Sequence, residues 1–137
     1  HMMALNDDIV LFPNQIKAIK VMLVHNPTCQ FFWGTFTWSV WIMKRELYLY
    51  LFNKYGWAFD PGFYPAYCED NDFHRRLDLD GIHYIPNLDV LRPDICRNSM
   101  TAKSNPVISH DKGLRYYEKK WGGKPGYEKW DVPFNVS

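Results

Sequence analysis

Three short stretches of this chain carry residue types that could do chemistry. The first is Leu5-Asn6-Asp7-Asp8-Ile9, where two acids follow an apolar residue and precede the run Ile9, Val10, Leu11, Phe12. Carboxylates at the end of a strand can bind a hard divalent cation and leave its other positions to phosphate oxygens and water. An Asn-Asp-Asp triplet is more commonly a turn or a helix cap, which is the competing reading. The second stretch is Tyr67-Cys68-Glu69-Asp70-Asn71-Asp72-Phe73, with Arg75-Arg76 one turn on. Acids cluster at a helix N-terminus because the macrodipole favours them, so capping alone accounts for the pattern. The sharper reading makes one of them a general base, which needs hydrogen-bond reach to an attacking hydroxyl and an ionised state at neutral pH. The third is His110-Asp111, which opens the last helix beside a basic tail and could complete a metal site.

Other candidates offer less. His25 and His83 read as structural or exposed, and His74 as a surface residue within the acidic helix. Cys29, Cys68 and Cys96 are odd in number and lack CxxC spacing, which indicates neither a disulfide framework nor a structural zinc site. With no Ser-His-Asp spacing, P-loop or HExxH, hydrolase and NTPase chemistry finds no motif.

The elements that must position these residues follow from periodicity and breakers. Pro13 suits the first turn of a helix over residues 13–24 whose apolar face is Ile16, Ile19 and Leu23. Aromatic and β-branched runs over 29–33 and 38–43, separated by Gly34, predict two strands or one strand and its bent continuation. A short helix follows over 44–52. Residues 53–67 set Gly56, Pro61, Gly62 and Pro65 among Tyr55, Trp57, Phe59, Phe63 and Tyr64, a loop aromatic enough to wall a binding site. A helix over 69–79 buries Phe73 and Leu77 and stops at Gly81; 83–85 form a short strand ended by Pro86. Ser109 can cap a final helix with the face Leu114, Tyr117 and Trp121, closed by Gly122-Gly123. The pattern is α/β, a single domain.

Composition excludes whole classes of function. With 16 Lys and Arg against 15 Asp and Glu over 137 residues, the chain lacks the charge for a nucleic-acid binder that relies on bulk electrostatics. The 47% hydrophobic content is too high for a disordered segment, and no apolar run approaches the ~18 residues needed to span a bilayer. A soluble, cytoplasmic protein in a reducing compartment is expected. His1-Met2 reads as a tag scar and is set aside. The charge is uneven: residues 60–94 hold eight acids against three arginines, and residues 101–137 hold seven Lys and Arg against four acids. An acidic centre beside a basic tail suits a metal and an anionic substrate, although solvated helix faces give the same count.

Together these pieces resemble the C-terminal half of a GT-A-fold, family-two-like glycosyltransferase. Leu5-Asn6-Asp7-Asp8 looks like the DxD region, residues 36–51 like the strand and helix before the acceptor loop, and YCEDNDFHRRL over 67–77 like the ED helix. GIHYIP over 81–86 and YYEKKWGG over 116–123 continue the likeness. The resemblance implies a mixed sheet flanked by helices and metal-dependent transfer of a sugar from a nucleotide donor to a hydroxyl or glycan acceptor, with inversion. Asp8 would coordinate Mn2+ or Mg2+ on the donor pyrophosphate, with Asn6 and Asp7 beside it and His110 as a further metal contact. Lys112 and Arg115 would approach the diphosphate. Asp70 would be the base, Asp72 its reserve, and Glu69, Trp57 and Tyr64 the acceptor side.

The likeness also sets an expectation of incompleteness. On the order of a hundred residues usually precede the DxD motif, and here Met3, Ala4 and Leu5 do, so the nucleotide-binding strands are expected to be missing. Without them the sheet has an open edge, which suggests association with a missing half or with a second copy. The reading from a different class is a non-catalytic carbohydrate-binding or interaction module in which the aromatic loop binds glycan and the acids cap helices. A metal-dependent nuclease on the same acids is weaker, given the near-neutral charge.

Overall fold

Pro13 has no amide hydrogen to leave unsatisfied, and it begins the helix that the sequence predicts there. The computed structural model describes residues 1–5, 9–34, 40–64, 67–88, 95–96 and 110–136. These divide into two compact units, residues 1–56 with 82–99, and residues 57–81 with 100–137.

The first unit contains strands β1 (Met2–Leu5), β2 (Ile9–Val10), β3 (Phe31–Gly34), β4 (Val40–Met43), β5 (Tyr84–Leu88) and β6 (Ile95–Cys96). Helices α1 (Pro13–His25) and α2 (Arg45–Tyr55) accompany them. Four strands form a mixed sheet in the order β1-β4-β3-β5, and β2 pairs with β6 in a separate antiparallel ribbon. The aromatic runs are two strands, not one bent strand: Phe31 lies opposite Met43, Phe32 opposite Ile42 and Trp33 opposite Trp41 in an antiparallel ladder. Met2, set aside as a tag remnant, pairs with Met43.

Side chains alternate across the sheet, so Phe32 and Ile42 join Ile19 of α1, Cys29 and Val40 in one apolar cluster. Phe31 and Met43, in the other phase of the alternation, are equally buried, which explains why these strands are apolar throughout. Two boundaries differ from expectation. Pro86 does not end β5, because this strand lies at the sheet's edge with a register shift opposite Phe32 and Gly34, where a missing amide breaks no ladder. Helix α2 runs on to Tyr55 and stops at Gly56, whose φ of 82° is the left-handed turn that ends helices.

The second unit is helical. Asp60 caps a 3-10 turn at Pro61–Phe63 by accepting the Gly62 amide at 2.8 Å. Helix α3 (Glu69–Leu79) and helix α4 (His110–Trp121) follow, then a 3-10 turn at Pro133–Asn135. Phe73 and Leu77 are buried as predicted, but so are Asp72 and Arg76. Tyr117 and Trp121 of α4 pack with Phe63 and Cys68, and Leu114 is partly buried against them. Ser109, the predicted cap, lies outside the described residues.

Close packing leaves no room for a side chain at Gly62, where an added Cβ would fall 2.2 Å from the Tyr116 ring. At Gly56 the same atom would meet nothing, and only the backbone conformation opposes it. Gly56→Ala should therefore cost roughly 1–2 kcal/mol for a left-handed L-residue. Gly62→Ala should cost more, roughly 1–3 kcal/mol of overpacking plus the displaced Tyr116 ring, and a urea melt of each variant would give the order.

Candidate functional site

The sequence-predicted acids of the second unit fall on two sides of one helical turn. Successive residues are about 100° apart around a helix, so Asp70 and Asp72 point in nearly opposite directions. Asp72 faces inward and is 0% exposed. Its Oδ1 accepts from Lys120 Nζ at 2.6 Å and Trp121 Nε1 at 2.9 Å, and its Oδ2 accepts from Arg76 Nε at 3.0 Å. With both oxygens engaged in the core, Asp72 is an anchor and not the reserve base that the sequence suggested. Arg76 also donates from Nη2 to the Ala58 carbonyl at 2.8 Å.

Lys120 links Asp72 to Asp60, whose Oδ2 lies 2.6 Å from the ammonium and also accepts from the Tyr116 hydroxyl at 3.2 Å. The ammonium is fully buried, with the rings of Trp57, Phe63 and Trp121 centred 5.4, 5.5 and 5.5 Å away. Two carboxylates thus meet two cations, and three π-faces add to the attraction. Burial, with the Asp60 carboxylate beside it, pushes the Tyr116 hydroxyl up to about 12. Trp57, expected on an acceptor wall, has one face over this ammonium. Its Nε1 is buried with no partner among the described residues.

Asp70 stands apart from this network. Its Oδ1 accepts from the Asn71 amide at 2.8 Å and from Asn71 Nδ2 at 3.1 Å, and no cation pairs with it among the described residues. It sits in the first turn of α3, where the helix dipole favours an anion. Glu69 beside it is half-buried, and burial, reinforced by the Asp70 charge, raises its carboxyl above the usual range against the pull of the Glu69 and Tyr67 amides. Its Oε2 is buried with no hydrogen-bond partner among the described residues.

The chain enters this turn through an unusual corner. Tyr67 and Cys68 are consecutive non-glycine residues with positive φ, 79° and 68°. Such backbone costs of order 1–3 kcal/mol per residue and persists where the surroundings impose it. Cys68 is wedged among Phe63, Tyr117 and Trp121. Burial, with the Asp70 and Glu69 charges, pushes its thiol up to about 11, so it stays protonated and is no nucleophile at neutral pH.

The remaining predicted residues take the following places. The His110 ring packs against that of Tyr67 with centroids 5.7 Å apart, which brings the start of α4 beside the corner. Lys112 and Arg115 lie on the exposed side of α4, and Tyr64 is 80% exposed. His74 is half-buried, not a surface residue, and burial lowers its pKa against the Asp70 and Asp78 charges. Asn6, Asp7 and Asp8 lie outside the described residues. Among the described residues no three His, Cys, Asp or Glu side chains converge in a way that could hold a metal. No described helix is long and apolar enough to cross a membrane.

Sequence reasoning missed Lys120, Arg76 and Asp60. A signal existed for two of them: Lys120 falls three residues after Tyr117 on the predicted apolar face, and Arg76 lies four residues after Asp72. Asp60 has no local signal, because its partner is 60 positions away. Comparison of the chain with protein-family models, curated proteins and solved structures returns no match.

Lys120→Met should destabilise the fold by about 3–5 kcal/mol, the cost of taking the cation from buried Asp60 and one of two cations from Asp72, measured by urea unfolding. For Glu69 the sign follows from linkage: the folded state holds this proton more tightly than the unfolded chain. The associated stability is present below the unfolded pKa and lost as pH rises through the raised folded value. Glu69→Gln should remove that loss, so its unfolding free energy relative to the parent should rise with pH from the acidic range to neutrality.

Proposed function

We propose that this chain is a glycosyltransferase catalytic domain of the GT-A, family-two-like type, moving a sugar from a nucleotide-diphosphate donor to a hydroxyl acceptor with inversion. The observation that carries the reading is the division of labour in the Glu69–Asp72 cluster. Asp72 is consumed by the core, while Asp70 stands in the first turn of the helix, just after a strained corner, without a cationic partner among the described residues. The α/β class and the mixed sheet are compatible with such a domain.

In this reading Asp70 accepts the proton of the acceptor hydroxyl as that oxygen attacks the anomeric carbon and the bond to the diphosphate breaks. Glu69 and exposed Tyr64 lie on the acceptor side, and the ring of Tyr64 can stack on apolar sugar C–H faces. Lys112 and Arg115 offer exposed positive charge to the diphosphate. Of the proposed metal ligands, the described residues contribute His110 alone, which by itself does not make a metal site. Mn2+ or Mg2+ enters the proposal through Asp8, and when bound it would neutralise charge on the leaving diphosphate. Association with a missing half or a second copy belongs to the same proposal.

The test is release of nucleoside diphosphate from a panel of nucleotide sugars with simple glycan acceptors, with manganese and with chelator. Asp70→Asn should lower turnover about 10²–10⁴-fold, the usual contribution of a general base, with an unchanged unfolding midpoint. Turnover that survives in Asp70→Asn would overturn the assignment of the base. Absence of turnover, with glycan binding that persists in chelator, would favour the non-catalytic carbohydrate module instead, a reading that exposed Tyr64 also supports.

A further inference from the structure

The four-stranded sheet has two edges, and they are built differently. At one, β5 carries Pro86 and a register shift, two devices that discourage a further strand from pairing. At the other, β1 pairs with β4 on one side only among the described residues. Met2–Leu5 holds neither proline nor charge, so the outer row of backbone N–H and C=O groups is left unguarded.

Beside this edge lies an apolar cavity of about 190 Å³. Cross-strand partners share a face of a sheet, so Met3 stands on the face of Ile42, which packs with Ile19 of α1. On that face Ile42 is 2% exposed and Met3 47%, so α1 covers β4 and leaves β1 open. Met3 and Ile42 give the cavity its sheet wall, and Ile16, Ile19 and Leu23 its helix wall. Lys20 is the one charged helix residue in the lining, and no carboxylate lines the cavity. Lys20 is exposed, no ion pair engages it among the described residues, and α1 contains no acid along Pro13–His25 to compensate it.

We propose that β1 and α1 form a groove that takes one extended strand of a partner polypeptide, paired along the outer edge of β1, with a large apolar side chain in the cavity and a carboxylate two residues away on Lys20. Strand addition draws affinity from main-chain hydrogen bonds and specificity from pockets for alternate side chains. An apolar cavity of about 150 Å³ accepts benzene, so this one has room for a leucine, methionine or phenylalanine side chain. Alternate residues of a strand lie on one face about 7 Å apart, which brings the neighbour of the anchor within reach of a lysine side chain. A second copy pairing β1 with β1 would bring no carboxylate to either Lys20, which favours a different chain as the occupant. The groove lies wholly in the first unit and stands apart from what Asp70 does in sugar transfer.

The experiment is an amide NMR titration of the full chain at neutral pH, with hydrogen exchange, using the peptide acetyl-TETFTET-amide. Its twins are TETSTET, which lacks the apolar anchor, and TKTFTKT, which reverses the charge. Saturable binding of the first is expected, with slowed exchange within β1 and shifts at the Ile16 and Lys20 amides, while both twins bind more weakly. Lys20→Glu, at an exposed helix position, should weaken the acidic peptide about tenfold and strengthen the basic one, because an exposed ion pair is exchanged for a repulsion. No saturable binding, equal binding of the serine twin, binding that leaves exchange in β1 unchanged, or an affinity indifferent to Lys20→Glu would each overturn the proposal. Slowed exchange in β1 on raising the protein concentration alone would also overturn it, since a second copy would then take the edge.

Discussion

A single buried ammonium organises the helical unit. Lys120 must lose its hydration to enter an apolar core, and that loss is offset only if carboxylates meet it there. Asp60 and Asp72 do so at 2.6 Å each, from the loop before α3 and from the first turn of α3. Two of the three surrounding rings, Phe63 and Trp121, also belong to the apolar core, so packing and electrostatics cannot be separated at this point. Replacing Lys120 takes the ammonium from Asp60 and leaves Asp72 with Arg76 alone. This is why the aromatic loop, α3 and α4 have to be arranged together.

The placement of the candidate chemistry follows from that constraint. Once Asp72 is drawn inward, helical geometry turns Asp70 away from the core, and the preceding residues must enter the helix along a restricted path. Tyr67 and Cys68 take that path at the expense of two left-handed φ angles, with the Cys68 side chain locked among Phe63, Tyr117 and Trp121. A carboxylate with no cation paired to it among the described residues thus sits two residues from one whose oxygens are both engaged. Environment, not residue type, separates their roles.

The sheet unit depends on a different balance. Its central strands are buried on both faces, so they need apolar residues in both phases of the alternation, and Phe31, Phe32, Ile42 and Met43 supply them. Helix α1 contributes Ile19 to one face through ordinary amphipathic spacing. The edge position of β5 is what makes Pro86 tolerable inside a strand.

Local rules made much of this protein legible in its sequence. Pro13 and Gly81 mark where helices start or stop, the spacing of Phe73 and Leu77 fixes the buried face of α3, and the aromatic runs around Gly34 become paired strands. The Glu69–Asp72 cluster was equally visible as acids at the start of a helix, followed by Phe73 and two arginines. The sequence alone could not say which of those acids is drawn into the core, nor that Lys120 is a core residue. Those outcomes depend on Asp60 and Ala58 reaching Lys120 and Arg76 across 60 and 18 positions, and contacts of that length are decided by how the helices pack. Residue type sets what a side chain can do, but its dielectric surroundings and its partners exist only once the chain is folded.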